Sequence, residues 1–126
     1  MLKAKDIMSR DVETISEDTD IQKTCNMLMR NKVSGLPVVN SSKKLVGFIS
    51  ERDIILSISK YGFPKKKAKD IMTKKVISVS EDTLVEQISK IFTERPFRYI
   101  PVTKKGIIAG IISRKQLISR LLRQYY

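Results

Sequence analysis

The sequence predicts a mixed α/β (α+β) fold made of two β-α-β-β-α units that pack together with pseudo-twofold symmetry. Three observations support this prediction. Four short segments occur twice in the same order, and in each copy strand-like and helix-like patterns follow one another in the same way. In addition, a unit of roughly 50 residues is marginally stable alone, so two units are expected to bury their apolar sheet faces against each other.

The repeat is visible as a nearly constant spacing between matching segments. The spacing is 64 residues for the first three pairs and 63 for the fourth, which places a one-residue deletion in a turn, where deletions are tolerated. The pairs are Ala4–Met8 with Ala68–Met72 (AKDIM), Ser16–Thr19 with Ser80–Thr83 (SEDT), Gly35–Val39 with Tyr99–Thr103 (GLPVV, YIPVT), and Val46–Ser50 with Ala109–Ser113 (VGFIS, AGIIS). We therefore divide the chain into repeat 1 (1–60), a linker (61–67) and repeat 2 (68–126).

Each unit is predicted to start with AKDIM as a short helical lead-in, followed by a short strand at Val12–Ile15 or Val76–Val79. A helix follows, for which Thr19 and Thr83 fit the N-cap of a capping box. Its core-facing residues are expected to be Ile21, Cys25 and Leu28 in the first copy and Val85, Ile88 and Phe92 in the second. Cys25 is interpreted as a small buried residue rather than a reactive thiol.

A hairpin and a second helix complete each unit. The predicted hairpin strands are Leu36–Asn40 with Leu45–Ile49, and Tyr99–Thr103 with Ile107–Ile112. The second helix is predicted from Ser50 to about Lys60 in the first copy. In the second copy it starts at Ser113 and runs nearly to the end, and its apolar stripe is expected to hold Leu117, Leu121 and Leu122.

The composition excludes several kinds of site. The 126 residues contain no histidine and one cysteine, which rules out histidine-based catalysis, Cys/His zinc sites and an intrachain disulfide, and no metal site is expected. The net charge of +12 attracts phosphates, nucleic acid or acidic membranes, or belongs to a lysine-rich solvated surface. With no bilayer-length apolar run and no signal peptide, the sequence is expected to be cytoplasmic, with no membrane partner.

The ordered segments resemble a tandem pair of cystathionine β-synthase (CBS) domains, also called a Bateman module, over almost the whole chain. The resemblance implies a regulatory, non-catalytic protein that often pairs into a disc-like homodimer. It also implies a nucleotide ligand in clefts between the repeats. The expected ligands contain adenosine: AMP, ADP, ATP or S-adenosylmethionine.

The ligand motif of that family is Gly, two apolar residues, Ser or Thr, two variable residues and Asp, and Gly47, Ser50 and Asp53 match it in full. In the family the hydroxyl and the carboxylate meet the ribose and the nearby phosphate. The resemblance implies that the other repeat completes the cleft. Site 1 is therefore expected to contain Gly47, Ile49, Ser50, Asp53, Val76, Ile77, Ser78, Arg98, Tyr99, Ile100 and Pro101.

The second copy departs from the motif, because Gln116 stands where the family has Asp. By symmetry, degenerate site 2 would contain Thr14, Ser34, Leu36, Pro37, Gly110, Ile112, Ser113 and Gln116. An ionised carboxylate accepts two ribose hydroxyls, whereas an amide offers one oxygen. We expect the Asp53 cleft to bind better, although both motifs also serve as plain helix caps.

Phosphate binding needs nearby cations, and Arg98 is the first candidate, with an exposed strand-edge charge as the alternative. Tyr99 is expected either to pack on an adenine or to sit at the rim of the core. The other candidates are Arg52, Arg114, Lys65, Lys66 and Lys67, with Arg10 and Arg95 weaker.

Three classes of function remain open at this point. The first is a nucleotide-sensing module that signals to a separate effector protein, and the second is a nucleic-acid-binding protein driven by the +12 charge. An enzyme has the least support, because Ser50 and Ser113 have no evident base. A purely structural dimerisation module is the alternative if no ligand binds.

Overall fold

The computed structural model describes residues 1–62 and 65–125, so Phe63 and Pro64 of the predicted linker and the terminal Tyr126 lie outside the described residues. The mixed α+β fold is confirmed, and each repeat contributes a lead-in helix followed by β-α-β-β-α. The elements are α1 (Ala4–Ile7), β1 (Ile15–Ser16), α2 (Ile21–Asn31), β2 (Gly35–Val39), β3 (Leu45–Ser50), α3 (Glu51–Tyr61), α4 (Ala68–Ile71), β4 (Val79–Ser80), α5 (Val85–Glu94), β5 (Tyr99–Lys104), β6 (Ile107–Ser113) and α6 (Arg114–Tyr125).

The chain folds into two compact units that exchange their lead-in helices. Unit 1 contains residues 1–12 and 77–126, and unit 2 contains residues 13–76. Helix α1 thus belongs with the strands and long helices of repeat 2, and α4 belongs with those of repeat 1. The division at 1–60, 61–67 and 68–126 stays a prediction about the repeated sequence.

Each unit contains one three-stranded sheet with the same topology. In unit 2 the order is β1-β2-β3, with β1 parallel and β3 antiparallel to β2, and in unit 1 β4, β5 and β6 repeat that arrangement. Matching registers, such as Ile15 beside Val38 and Val79 beside Val102, show that the duplication extends to individual pairs. The four hairpin strands end within one residue of their predicted limits.

Each unit has its own apolar core, formed by the sheet, the inward faces of its helices and its lead-in helix. The core of unit 2 consists of Ile15, Ile21, Leu28, Leu36, Val38, Ile49, Ile54 and Ala68. The core of unit 1 consists of Ala4, Ile7, Met8, Val79, Val85, Ile88, Ile100, Val102, Ile112 and Leu117.

In unit 1 the SEDT segment of repeat 2 holds α1. The first backbone N–H groups of a helix lack intrahelical partners. Here Ala4 donates its N–H to the carbonyl of Thr83 at 2.8 Å, and Lys5 donates to that of Glu81 at 3.0 Å. The Lys5 ammonium also lies 3.4 Å from the carboxylate of Asp82.

Unit 2 repeats this arrangement with α4. Ala68 donates to the carbonyl of Thr19 at 2.8 Å, and Lys69 donates to that of Glu17 at 2.9 Å. The Lys69 ammonium lies 3.1 Å from Asp18, which lowers the pKa of that carboxyl and raises the pKa of the lysine. In each unit, therefore, the AKDIM segment of one repeat binds the SEDT segment of the other repeat.

The predicted first strands at Val12–Ile15 and Val76–Val79 were wrong in position and length. The observed strands cover only Ile15–Ser16 and Val79–Ser80. Only these residues lie alongside β2 and β5, so the apolar alternation before them has no partner strand.

The predicted helix caps were wrong by one residue. Asp20, not Thr19, caps α2, and its carboxylate accepts the N–H of Lys23 at 2.7 Å. In the other copy the hydroxyl of Thr83 accepts the N–H of Ser80 at 3.1 Å and so closes the preceding turn. The helix consequently begins one residue later in both copies.

Three side-chain predictions also need correction. Cys25 is half-buried against the core of unit 2 rather than buried, and desolvation raises the pKa of its thiol. Phe92 is likewise only partly buried. Leu122 is 53% exposed, because it lies about 100° around α6 from Leu121 and outside the stripe that contains Leu117.

Candidate functional site

The predicted ligand motif forms the start of α3. The hydroxyl oxygen of Ser50 accepts the N–H of Asp53 at 3.2 Å. In return, Oδ2 of Asp53 accepts the N–H of Ser50 at 2.9 Å and its hydroxyl at 3.0 Å. This is a complete capping box, so the capping interpretation of the motif is confirmed.

The second carboxylate oxygen of Asp53 is held from another element. The hydroxyl of Thr73, two residues after α4, donates to Oδ1 of Asp53 at 3.1 Å. Thr73 and Phe48 also exchange two backbone hydrogen bonds of 2.9 Å, which fixes the threonine beside β3. Thr73 was not predicted as a site residue, although a hydroxyl residue follows AKDIM in both copies, as Thr73 and as Ser9.

The glycine of the motif permits this approach. A Cβ atom at Gly47 would lie 2.9 Å from the carbonyl oxygen of Thr73 and 2.5 Å from the sulfur of Met72. A side chain at this position would therefore push the Thr73 segment away from β3. Gly47 thus places Thr73, and through it the orientation of the Asp53 carboxylate.

The remaining capacity of the carboxylate can be counted. Oδ2 of Asp53 already accepts two donors, and Oδ1 accepts one. Since each oxygen offers about two acceptor positions, one position on Oδ1 remains. One ligand hydroxyl can bind there directly, and a second would replace the hydroxyl of Thr73 or Ser50.

The start of α6 has the same frame with an amide in place of the acid. Oε1 of Gln116 accepts the N–H of Ser113 at 2.9 Å, and the N–H of Gln116 donates to the hydroxyl of Ser113 at 3.1 Å. Ser9 and Ile111 exchange backbone bonds of 2.9 and 3.0 Å, and a Cβ at Gly110 would lie 2.8 Å from the carbonyl oxygen of Ser9. Among the described residues, no hydrogen bond joins Ser9 to Gln116.

The residues predicted for site 1 fall in both units. Unit 2 holds Gly47, Ile49, Ser50, Asp53 and Val76. Unit 1 holds Ile77, Ser78, Arg98, Tyr99, Ile100 and Pro101. Within unit 2 the structure brings Gly47, Ser50 and Asp53 together at the end of β3, and within unit 1 Arg98 lies exposed just before β5.

The residues predicted for site 2 divide in the same way. Unit 2 holds Thr14, Ser34, Leu36 and Pro37, and unit 1 holds Gly110, Ile112, Ser113 and Gln116. Six residues of the two predicted sites have buried side chains and offer a ligand their backbone only: Ile49, Ile100, Pro101, Leu36, Pro37 and Ile112.

The described residues contain neither a cluster of metal ligands nor a membrane-spanning helix. Across residues 1–62 and 65–125, no group of three or more Cys, Asp or Glu side chains is arranged to hold a metal ion. In the same ranges, no helix has the length and apolar character needed to cross a membrane.

The chain matches a known protein family over almost its whole length. The family model of the CBS domain matches residues 4–60 and again residues 68–123. Inosine-5'-monophosphate dehydrogenase of Methanocaldococcus jannaschii is 34% identical over 119 residues, which are 94% of this chain and 23% of that protein. The uncharacterized protein YlbB of Bacillus subtilis is 30% identical over 115 residues, 90% of this chain and 78% of that protein. The chain thus spans about a quarter of the dehydrogenase and most of YlbB.

Solved structures agree with the sequence comparison. The structure of CBSX2 in complex with AMP superposes with a TM-score of 0.89 at 27% identity, covering 100% of both chains. The CBS domain pair of the protein MJ0100, in complex with 5'-methylthioadenosine and S-adenosyl-L-methionine, superposes with a TM-score of 0.85 at 27% identity, covering 100% of this chain and 99% of that one.

Proposed function

The chain belongs to the CBS domain family as a tandem pair, which is a regulatory rather than catalytic module, and we propose that it binds an adenosine-containing ligand at the start of α3. The ligand is AMP, ADP, ATP or S-adenosylmethionine. The observation that carries the proposal is the partly exposed carboxylate of Asp53, held by Ser50 and Thr73 with one acceptor position left.

The local chemistry supports a ribose at this carboxylate. A ribose hydroxyl is a donor, and a hydrogen bond to an ionised acceptor is stronger than one to a neutral acceptor. The start of α3 also presents free N–H groups and the positive end of the helix dipole, which favour a nearby phosphate. Adenosine ligands bound by CBSX2 and by MJ0100 fit the same class of compound. The contribution of Arg98 and Tyr99 is proposed from the family resemblance alone.

Calorimetric titration with AMP, ADP, ATP and S-adenosylmethionine tests this proposal. We expect at least one of them to bind and to raise the melting temperature of the native protein. The variant Asp53→Ala should weaken that binding by about 1.5–3 kcal/mol, the range for a hydrogen bond to a charged group. Binding that is unchanged in Asp53→Ala, or absent for all four ligands in the wild type, would contradict the proposal.

The matched control is Gln116→Ala. It removes the equivalent capping side chain from α6 and therefore carries a similar cost in helix stability. It should leave the affinity of the Asp53 site unchanged. An equal loss in both variants would mean that the effect comes from helix capping rather than from the carboxylate.

We also propose that two copies of the chain form a homodimer through apolar faces of their second helices. Ile55 on α3 is 65% exposed, and Ile118 and Leu122 on α6 are 58% and 53% exposed. Such side chains at helical spacing are costly to leave in water. Light scattering should show a dimer for the wild type and a monomer for Ile118→Asp/Leu122→Asp, whereas a monomeric wild type would refute this proposal.

Signalling to an effector protein completes the proposed function. A ligand shifts a conformational equilibrium only by its differential affinity for the two states. Effector binding should therefore differ between the ligand-bound and ligand-free protein, and Asp53→Ala should abolish that difference.

A further inference from the structure

A groove of about 310 Å³ lies along α6 in unit 1, and the ligand motif does not account for most of it. Its lining residues are Ile7, Lys115, Gln116, Ser119, Arg120 and Arg123. Ile7 comes from α1, and the other five come from α6. Three of the six side chains are cations and none is a carboxylate.

The groove occupies a separate face of α6. Gln116, Ser119, Arg120 and Arg123 follow one another at spacings of three, one and three residues, which keeps them on one side of the helix. The core-facing Leu117 lies on another side. The groove therefore differs from the core contact. Its Gln116, Arg120 and Arg123 also lie on a different side of α6 from the exposed Ile118 and Leu122, and Lys115 lies at the border between the two faces.

Two of the three cations have basic equivalents on α3, Arg52 for Lys115 and Lys60 for Arg123, and the third, Arg120, has none. Helix α3 has two acids and two bases, whereas α6 has four bases and no acid. The position of Arg120 on α6 corresponds to Ser57 on α3, which is only 6% exposed. A small buried side chain on α3 is thus replaced on α6 by a long cation that lines a groove.

The cations of the groove have no counter-charge within the described residues. No carboxylate among residues 1–62 and 65–125 lies within ion-pair distance of Lys115, Arg120 or Arg123. Arg120 and Arg123 lie three residues apart on the helix, where like charges repel each other. An anion in the groove would replace this repulsion with attraction.

We propose that this groove binds a ligand with two or more linked phosphate groups. Arg120 and Arg123 offer planar donor pairs that match phosphate oxygens, and Lys115 adds a point charge. Ser119 adds a hydroxyl. The Oε1 atom of Gln116 already accepts a backbone N–H, so its NH₂ group is the part that remains for an anion.

The size of the groove favours a small ligand over a nucleic acid strand. Its volume of about 310 Å³ is at the lower end of the range for small-molecule sites. Two kinds of compound contain such linked phosphates. They are inorganic pyrophosphate or tripolyphosphate, and nucleotides with a phosphate chain. AMP carries a single phosphate and is the matched weak ligand.

The test is calorimetric titration of the full chain with pyrophosphate, tripolyphosphate, ATP and AMP at low salt. The variant is Arg120→Ser/Arg123→Gln. It is expected to fold because α3 carries a serine, Ser57, at the position equivalent to Arg120. We expect pyrophosphate or tripolyphosphate to bind the wild type, and the variant to bind at least tenfold more weakly. If ATP competes with pyrophosphate or tripolyphosphate and AMP does not, the groove accepts the phosphate chain of a nucleotide. If ATP does not compete, the ligand is an inorganic phosphate chain.

Two controls separate this site from the others. Lys60→Gln on α3 matches Arg123→Gln in position and charge and should leave pyrophosphate binding unchanged. Asp53→Ala should also leave it unchanged, so failure of the adenosine site and failure of the groove give different results. Equal melting temperatures of variant and control confirm that both are folded.

Three results would overturn the proposal. The first is a wild type that binds neither pyrophosphate nor tripolyphosphate. The second is a loss of binding that is the same in Lys60→Gln as in the Arg120→Ser/Arg123→Gln variant. The third is binding of a single-stranded oligonucleotide that depends on Arg120 while the small phosphates do not bind, which would assign this face to nucleic acid.

Discussion

The starts of α3 and α6 have the same backbone frame but different acceptors. In both, a serine caps the helix, a glycine admits the segment that follows a lead-in helix, and the side chain three residues after the serine closes the cap. Only α3 has a charged acceptor, Asp53, with a second hydroxyl from Thr73 directed at it. The comparison shows that capping requires only an oxygen at this position. The charge at Asp53 is therefore available for another role.

The largest effect on stability is expected at the two glycines that the copies share. Gly47→Ala and Gly110→Ala each place a Cβ atom within 3 Å of a backbone carbonyl oxygen, at 2.9 and 2.8 Å. Each variant should lose about 1–3 kcal/mol of unfolding free energy, the usual range for overpacking. Urea denaturation measures this loss, with Ile107→Ala at an exposed strand position as the control. A neutral result at either glycine would show that the segment after the lead-in helix moves freely.

Removing the capping serines should have a smaller effect. Ser50→Ala and Ser113→Ala each remove an N-cap acceptor, at a cost of about 1 kcal/mol. Ser50→Ala should cost more, because its hydroxyl also donates to the carboxylate of Asp53 at 3.0 Å. Thermal unfolding of the two variants compares them directly. A larger loss in Ser113→Ala would contradict the difference assigned to the two caps.

The hydroxyl beside Asp53 should matter less again. Thr73→Val keeps the size of the side chain and removes a hydrogen bond to Asp53 in an exposed setting, at an expected cost of about 0.5–1 kcal/mol. Ser9→Ala is the matched change in unit 1 and should be nearly neutral, because Ser9 makes no hydrogen bond to Gln116 among the described residues. Equal losses in the two variants would mean that the hydroxyl of Thr73 does not stabilise the carboxylate of Asp53.

The smallest effect is expected at the ion pairs of the lead-in helices. The lowered pKa of Asp18 means that its contribution is present above the ordinary carboxyl pKa and is lost as the pH falls through the lowered value. The raised pKa of Lys69 means that the contribution is lost again as the pH rises through that value. Asp18→Asn should therefore lower the melting temperature slightly between about pH 4 and pH 10, and progressively less as the pH falls further into the acid range.

The equivalent change in unit 1 is the control for that prediction. Asp82 lies 3.4 Å from Lys5, a longer distance than the 3.1 Å between Asp18 and Lys69. Asp82→Asn should give a smaller shift in melting temperature at pH 7, and salt should reduce both shifts. A shift that is independent of pH would mean that the asparagine acts through something other than charge.

The fold could be predicted from the sequence because the repeat doubles every signal. A short pattern such as SEDT is weak evidence alone, but its second occurrence at the same spacing supports the repeat. The ends of the hairpin strands were predicted to within one residue. The ends of the first strands and the caps of α2 and α5 could not be predicted. They depend on how far β2 and β5 extend and on competing turns, such as the bond from Ser80 to Thr83.

The site was predicted in part. Gly47, Ser50 and Asp53 lie together as the motif indicated, but Thr73 was missed because it comes from the segment after the other lead-in helix. The exchange of lead-in helices between units is a tertiary property that no local pattern shows. The groove along α6 was not predicted, because scattered charges on a helix, such as Arg120, usually face solvent.

The central claim is that the charge at Asp53 serves a ligand and not the fold. The most direct test exchanges the two acceptors and measures the affinity for AMP, or for whichever adenosine ligand binds the wild type best, by calorimetry. Asp53→Gln should keep the helix cap, as Gln116 does on α6, and should weaken binding by about 1.5–3 kcal/mol. The reverse variant Gln116→Asp should not weaken it. Unchanged affinity in a folded Asp53→Gln protein would contradict the claim.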